Sequence, residues 1–562
     1  MAGRRTVAAL ALLLAACSRG PRPTTSVLLV SLDSVRADFL GCYGAALPHA
    51  PGRTPSAHLD RLAAEGVLYE NARSTTSWTL PAHATLFTGL PELVHGVEQD
   101  GQRLPEELAT LAERLRAAGY RTYGVYSGPY LAPSYGFGRG FERYEAAYGP
   151  ALAGALAELE VAARLVESLD VAREPARARV AVERRAAAVG AVEAASHADV
   201  SSERVTAQAL AELARAAADG RPFLLFAHYF DPHYDYAPPA AVGRSFDPEY
   251  RGRLDARGYV TNPAIVTYDP SSPTGRRRVV SERDLEHVQA LYAGEIAWTD
   301  RHVGRLLEEL ARLGLSESTL VVVVGDHGDE FFEHGSIGHR QTLHEEVLRV
   351  PAILRLPGVL PAGARRAEPV TLADLGREIL RLVLPSADLG PALPTVGRLV
   401  RVDLEPLSFE LDGAPRAVEG SRVRILESFW SGSLKLLRVR ERLEPGQPLA
   451  ADESAAFARA AAERFAREEL RWIDLAAHPG EPEEAWSTDF SDPRARAALA
   501  EFRAAHAELG ARRAAPPLVA ETEELVAALR GLGYVGQEAP QGTLAATDLL
   551  LPPPGEGLDP GN

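Results

Sequence analysis

The sequence predicts an α/β fold: a large, mainly parallel central sheet flanked by helices, followed by a smaller C-terminal α+β subdomain. Three observations predict it. Val27-Leu28-Leu29-Val30-Ser31-Leu32 and the stretch Thr319 to Val324 are near-continuous apolar runs, the pattern of strands buried on both faces. Helical spacing, a glycine and a short strand succeed one another in Leu104 to Ala118 (Leu108, Leu111, Leu115), Gly119 and Thr122 to Tyr126, which is how parallel sheets are strung together. After about residue 395 the pattern changes to short alternating strands and separate helices.

In chain order, Leu59 to Val67 reads as a helix after the first strand. Ala151 to Ala218 is rich in Ala, Arg and Glu and almost wholly helix-forming. Its first part, about 150–200, reads as a solvent-facing insertion and its end as a helix packed on the sheet. Phe223 to His228 is a strand, and Asp284 to Leu313 a long amphipathic helix. On that helix, Glu295 and Asp300 do not share a face and are read as structural. In the C-terminal part, Arg422 to Leu426 and Leu434 to Arg440 read as short strands. Asp452 to Leu470 reads as a helix, Trp472 to Leu475 as an edge strand and Arg494 to Leu509 as a helix. The expected organisation is a large α/β unit over 26–395, a subdomain over 396–540 and a disordered tail over 541–562, where Pro552-Pro553-Pro554 and Gly555 fall.

The N-terminus reads as an address. Arg4 and Arg5 precede an apolar run from Val7 to Ala16, too short to span a bilayer with ease. The run ends in Leu14-Ala15-Ala16-Cys17, which resembles a bacterial lipobox. Residues 1–17 are therefore expected to be a lipoprotein signal with Cys17 acylated, and 18–25 a tether. The resemblance implies export, with Ser18 after the cysteine favouring the outer membrane over another periplasm-facing surface. With Cys17 so used, Cys42 is alone and no intrachain disulfide is expected. A net charge of −16 over 562 residues argues against nucleic acid as a partner.

Asp33-Ser34 and Asp326-His327 stand at the ends of two expected strands, and Asp231-Pro232-His233 follows a third. Ligands of open α/β sheets bind at the carboxyl ends of strands, so the three clusters point to one shared site. Asp33 and Asp326 are hard oxygen donors and His327 adds nitrogen, a set suited to a divalent cation. Capping is the competing use of Asp33 and Thr79: Asp-Ser after a strand caps well, as does Thr-Leu-Pro-Ala ahead of a helix.

Ser31-Leu32-Asp33-Ser34-Val35-Arg36-Ala37-Asp38, Gly41-Cys42-Tyr43-Gly44, Thr54-Pro55 with Leu59 to Ala63, and Trp78 to Gly89 occur in that order. Phe230-Asp231-Pro232-His233, Gly325-Asp326-His327-Gly328, Glu333-His334-Gly335, Gly338-His339 and Glu345 to Pro351 follow. Together they resemble the successive signature blocks of the sulfatase family of the alkaline phosphatase superfamily, across roughly 26–360. Trp472 to Leu475 with Pro479-Gly480-Glu481, and Leu529 to Tyr534, are similar to the family's late segments.

The resemblance implies an ester hydrolase with one divalent ion on Asp33, Asp326, His327 and the Thr79 hydroxyl. Zn²⁺ or Mn²⁺ is favoured by the histidine, with Ca²⁺ also open. Thr79 stands at the nucleophile position, where true sulfatases carry a Cys or Ser that is oxidised to formylglycine, and His83 stands at the later arginine position. Threonine cannot form that aldehyde hydrate, because its β-carbon already bears a methyl group. Ser34 replaces a common second aspartate. The resemblance gives His233 the leaving oxygen and His339 the transferring oxygens, with Arg340 the rival to His339. His83, Asp231 and Arg36 are further expected substrate contacts, Asp231 also offering a ligand for a second ion; His95, His228 and His334 are background candidates. Lys435 is the chain's one lysine, so lysines cannot grip the anion as in most sulfatases. Thr79 and this lack lean the reading toward phosphoric over sulfuric esters, on a small-molecule, glycan or lipid substrate. A phosphoryl-group transferase of the envelope and a non-catalytic binding lipoprotein are the alternatives.

Overall fold

The computed structural model describes residues 25–516, apart from 100, most of 168–198, 241, 255–258, 261, 270–275, 413, 446–448 and 466. The expected signal, Cys17, most of the tether, the segment Leu529 to Tyr534 and the expected tail lie outside the described residues, as does much of the helical insertion.

The centre is an eight-stranded mixed sheet. Its strands are β1 (Ser26–Leu32), β2 (Val67–Tyr69), β3 (Arg121–Tyr126), β4 (Arg143–Ala146), β5 (Phe223–Tyr229), β6 (Thr319–Gly325), β7 (Ala352–Arg355) and β8 (Ala364–Arg366). They lie in the order β8-β2-β7-β6-β1-β5-β3-β4. All neighbours are parallel except β7, which runs antiparallel to both β2 and β6. Along β1, Val27 and Leu29 enter one core while Leu28, Val30 and Leu32 enter the other. β6 divides in the same way, which is why both strands read as unbroken apolar runs. Each such fully buried side chain contributes about 1.5–3 kcal/mol over exposure. Cys42 is the free cysteine of the described residues.

One face of the sheet is covered by α1 (Ala57–Glu65), α4 (Ser202–Asp219) and α5 (Glu282–Arg312). The other is covered by α2 (Thr79–Thr88), α3 (Leu111–Ala117) and α6 (Leu372–Val383). Asp300 of α5 caps α1 by accepting from His58 N at 3.0 Å and Leu59 N at 2.9 Å. No described helix is long and apolar enough to cross a membrane.

A four-stranded antiparallel meander forms the second sheet: β9 (Gly397–Leu411), β10 (Ala414–Ser431), β11 (Leu434–Pro445) and β12 (Arg467–Asp474). Buried charges tie it to the first unit. Arg398 Nε lies 2.9 Å from Glu98 Oε1 and its other end pairs with Glu427. Lys435 Nζ reaches Glu345 Oε1 at 3.2 Å.

Four expected elements differ from what forms. The helix over 104–118 is confined to α3, because Thr110 and Glu113 close a reciprocal capping box (3.1 and 2.8 Å) and Leu104 N is held by Tyr135 O at 3.0 Å. The helix over 452–470 ends at Phe465 (α7, Ala451–Phe465), where β12 pairs with β11; cross-strand pairing overrides local helix propensity. Of the two short strands, Arg422 to Leu426 is the middle of the much longer β10, and Leu434 to Arg440 is the first part of the longer β11.

Candidate active site

Strand register assembles the site. Leu32 of β1 pairs with Gly325 of β6 and with Tyr229 of β5, so the three strands end level. The next residues, Asp33, Asp326 and the Phe230–His233 turn, therefore share one rim. Ser34 sits there in the left-handed region (φ 58°), a conformation costing an L-residue roughly 1–2 kcal/mol. Its bonds hold it: Ser34 N donates to Asp326 Oδ1 (3.1 Å), its hydroxyl donates to Asp33 Oδ1 (3.0 Å), and its carbonyl accepts from Tyr292 (2.6 Å).

Thr79 comes from the opposite side. Trp78, not Thr79, is the N-cap of α2, and Thr79 is the first residue of a helix buried throughout. Its hydroxyl is 3.3 Å from Asp33 Oδ2 and 3.4 Å from His327 Nε2. His327 Nδ1 faces Gly328 O at 3.1 Å; a carbonyl only accepts, so Nδ1 carries the proton and Nε2 is the basic nitrogen. Nε2 is 3.7 Å from Asp33 Oδ1 and 3.5 Å from Asp326 Oδ2.

These donors fit a cation. One atom each of Asp33, Asp326 and His327 lie within 4.8 Å of one another. Asp326 Oδ2 is buried without a hydrogen bond. Burial and then the charge of Asp33 push the Asp326 carboxyl well above its usual range, which is the strain two close carboxylates feel without a positive charge between them. Burial, then the His339 ring, lowers His327 to about 4, leaving it a neutral ligand at neutral pH.

His339 and His233 extend the row. The His339 ring is 4.4 Å from His327 and 4.9 Å from His233. Its Nδ1 is 2.7 Å from Asp329 Oδ1, while Asp329 Oδ2 accepts from Tyr236 at 2.6 Å. Asp329 is thus a functional candidate that the sequence reading missed; its signal was an acid two residues beyond His327 at the same strand end. His233 lies flat on Phe230 (4.4 Å, 19°), and its Nδ1 donates to Tyr234 O at 2.5 Å. Arg340, the rival to His339, lies beside the chain leading into Thr79: its guanidinium is over the Trp78 ring at 4.0 Å and donates to Tyr130 at 2.9 Å.

Three expected substrate contacts have other partners in the structure. Asp231 spends both oxygens on the start of α4, accepting from Ser201 N (2.5 Å), Ser201 Oγ (2.6 Å) and Ser202 N (2.8 Å). It anchors the start of α4, and a second ion or a substrate would have to compete with these bonds. Asp231→Ala is expected to cost about 1–3 kcal/mol, since it strands buried donors, with metal content unchanged; urea unfolding with metal analysis checks both. Arg36 is committed to Asp38 (2.7 Å), Glu333 (2.6 Å) and Asp329 O (3.1 Å). His83 is wholly buried beneath the site: its Nδ1 donates to Thr79 O (2.9 Å), so its Nε2 accepts from Ser31 Oγ (2.8 Å). Burial, then His228, lowers His83 to about 3. His228 is buried beside it, with Nε2 3.3 Å from Asp33 Oδ2.

Comparison with known proteins identifies the family and the fold. The family model "Sulfatase" matches residues 25–384. An ulvan-active sulfatase of Formosa agariphila is 26% identical over 344 residues, 60% of this chain and 59% of the relative. The multifunctional alkaline phosphatase superfamily protein PehA of Trinickia caryophylli is 26% identical over 376 residues, 59% of this chain and 68% of the relative. Among solved structures, the phosphonate monoester hydrolase of Agrobacterium radiobacter superposes with a TM-score of 0.54 at 16% identity, covering 86% of this chain and 96% of its own. At that identity the likeness is one of fold.

Proposed function

The chain belongs to the sulfatase family of the alkaline phosphatase superfamily, and on that premise we propose a metal-dependent hydrolase of phosphoric or sulfuric esters in which Thr79 is the nucleophile. The observation that carries the reading is the Thr79 hydroxyl, held 3.3 Å from Asp33 Oδ2 and 3.4 Å from His327 Nε2 at the head of a buried helix. Asp33, Asp326, His327 and the Thr79 hydroxyl are the residues to hold a divalent ion. Bound there, the ion lowers the hydroxyl pKa and offsets the charge of the transferred group. A nitrogen donor beside two carboxylates suits Zn²⁺ or Mn²⁺ better than Ca²⁺.

The residues then divide the work. The Thr79 hydroxyl gives its proton to solvent, its Oγ attacks phosphorus or sulfur in line, one O–P or O–S bond forms, and the bond to the leaving oxygen breaks. His233, its Nδ1 tied to Tyr234 O, passes a proton from Nε2 to that oxygen. In the second displacement water attacks the Thr79 ester and gives a proton to His233, the bond from phosphorus or sulfur to Thr79 Oγ breaks, and that oxygen leaves as the alkoxide, ready for the next attack or protonated by solvent. His339, oriented by Asp329, serves the transferring oxygens. A formylglycine hydrate releases sulfate by collapsing to its aldehyde. A threonine ester has no such exit and is cleaved at sulfur or phosphorus, a route phosphoryl transfer tolerates well. That contrast favours phosphorus, and the name of the Trinickia relative is compatible with it; the name of the Formosa relative keeps sulfated glycans as the rival substrate class. Leu14-Ala15-Ala16-Cys17 supports export and lipid anchoring through Cys17.

The test uses protein lacking residues 1–17, assayed for metal and for rates on p-nitrophenyl phosphate, bis-p-nitrophenyl phosphate and p-nitrophenyl sulfate. Expected are a bound transition metal, loss of turnover on chelation with return on Zn²⁺ or Mn²⁺, and a phosphoester rate above the sulfate rate. A sulfate rate tenfold above both phosphoesters would sink the phosphorus reading. No metal and no turnover would sink the enzyme reading.

A further inference from the structure

Leu224 and Phe226 of β5 enter the core beneath α2. By strand alternation the next residue on that face is His228, fully buried and paired in register with Ser31 of β1. An aliphatic side chain would suit this place. The imidazole instead leaves both ring nitrogens without a hydrogen bond of normal geometry, a costly arrangement for a buried polar group. The backbone nevertheless makes room for the ring: a Cβ on Gly128 would meet its Cε1 at 2.9 Å. His83 meets it edge-on, with ring centres 5.1 Å apart. Burial lowers His228 to about 3, so the ring is neutral at neutral pH.

Its Nε2 lies 3.3 Å from Asp33 Oδ2. A nitrogen lone pair facing a carboxylate oxygen repels it, so the single ring proton belongs on Nε2, directed at Asp33. The same Oδ2 lies 3.3 Å from the Thr79 hydroxyl, while Oδ1 accepts from the Ser34 hydroxyl at 3.0 Å. Asp33 is thereby drawn at both oxygens, by His228 from below the rim and by Ser34 beside it, which fixes the plane of the carboxylate before an ion arrives. A metal-ligating carboxylate held by such an outer partner gains on the order of 10–100-fold in metal affinity.

We propose that His228 is a positioning residue, whose Nε2–H holds the Asp33 carboxylate in the orientation that meets both the ion and the Thr79 hydroxyl. The fold itself has no need of the imidazole, since the neighbours on its face of β5 are apolar. The inference rests on the proposed role of Asp33 as an ion ligand, and it makes two statements that pull in opposite directions. Removing the ring leaves the metal-free protein no less stable, because an unsatisfied buried polar group goes with it. It weakens the ion site, because Asp33 is then free to turn.

The experiment measures both on protein lacking residues 1–17, stripped by a chelator. Co²⁺ is titrated in against a competing chelator and followed by visible absorption, and urea unfolding is run without metal. His228→Leu is expected to unfold at the same urea concentration as the wild type or a higher one. Its Co²⁺ affinity is expected to fall about 10–100-fold, with shifted absorption bands. His228→Gln, whose amide N–H can take the place of Nε2–H, is expected to recover most of the affinity. A Co²⁺ affinity of His228→Leu within twofold of the wild type, with unchanged bands, would overturn the proposal. So would failure of the metal-free protein to fold in both His228→Leu and His228→Met, because the imidazole would then belong to the fold. A wild type that binds no Co²⁺ would sink the ion site of the proposed function itself, and this inference with it.

Discussion

Thr79→Ala is expected to lower turnover of every ester substrate on the order of 10⁴-fold or more, while the protein stays folded and keeps its ion. Trp78 occupies the N-cap, so the Thr79 hydroxyl makes no capping bond and its removal takes no support from α2. Alanine is the better helix former at such a position. Asp33, Asp326 and His327 remain, three of the four proposed ligands. The loss therefore reports on chemistry, and Thr79→Ser, which restores a primary hydroxyl, is expected to recover most of it. Steady-state rates, metal content and circular dichroism on the three proteins provide the check. Turnover of Thr79→Ala within tenfold of the wild type would rule out the threonine as nucleophile and leave a directly attacking water as the remaining route. A phosphoryl or sulfuryl adduct trapped on the Thr79 peptide by acid quench is the positive counterpart.

The parts of this site that were legible in the sequence are those fixed by strand ends. β1, β5 and β6 announce themselves as continuous apolar runs, and parallel pairing obliges Asp33, Asp326 and the Phe230–His233 turn to share a rim. The roles of individual polar residues were less legible, because one residue type serves several physical ends. Asp231 in its strand-end turn has the same appearance whether it binds a metal or caps α4; only the placement of Ser201 and Ser202 decides, and those lie thirty residues away along the chain. Arg36 reads as an anion grip until Asp38 and Glu333 are seen to neutralise it. Asp329 was passed over because its value arises from His339, ten positions on. His83 matches the family's arginine position, yet burial makes it a neutral prop under Thr79. In the second sheet, the residues around 467 are good helix formers locally and become strand only through pairing with β11, information no local window contains.

His233→Ala is expected to slow esters with poor leaving groups by about 10²–10⁴-fold, and p-nitrophenyl esters far less. The argument starts from protonation. Burial, reinforced by the neighbouring His339 and His327 rings against the opposing pull of Asp33, holds the His233 imidazole well below its usual range. In the free protein at neutral pH it is therefore uncharged and cannot act as an acid. An anionic ester in the site adds negative charge beside the ring and raises its affinity for a proton, so the acid form belongs to the substrate complex. From this the sign follows: kcat for an alkyl ester falls as pH rises through the pKa of His233 in the complex, because the proton donor is lost. A p-nitrophenolate leaves without that proton, and its kcat is expected to be flat over the same range. In His233→Ala the descending limb for the alkyl ester should vanish along with most of the rate. A plot of log kcat against leaving-group pKa, steeper in the variant than in the wild type, measures the same thing without relying on pH. Parallel plots, with both substrates slowed equally, would instead make His233 a positioning residue for the transferring group, and the proton donor would have to be sought elsewhere on the rim.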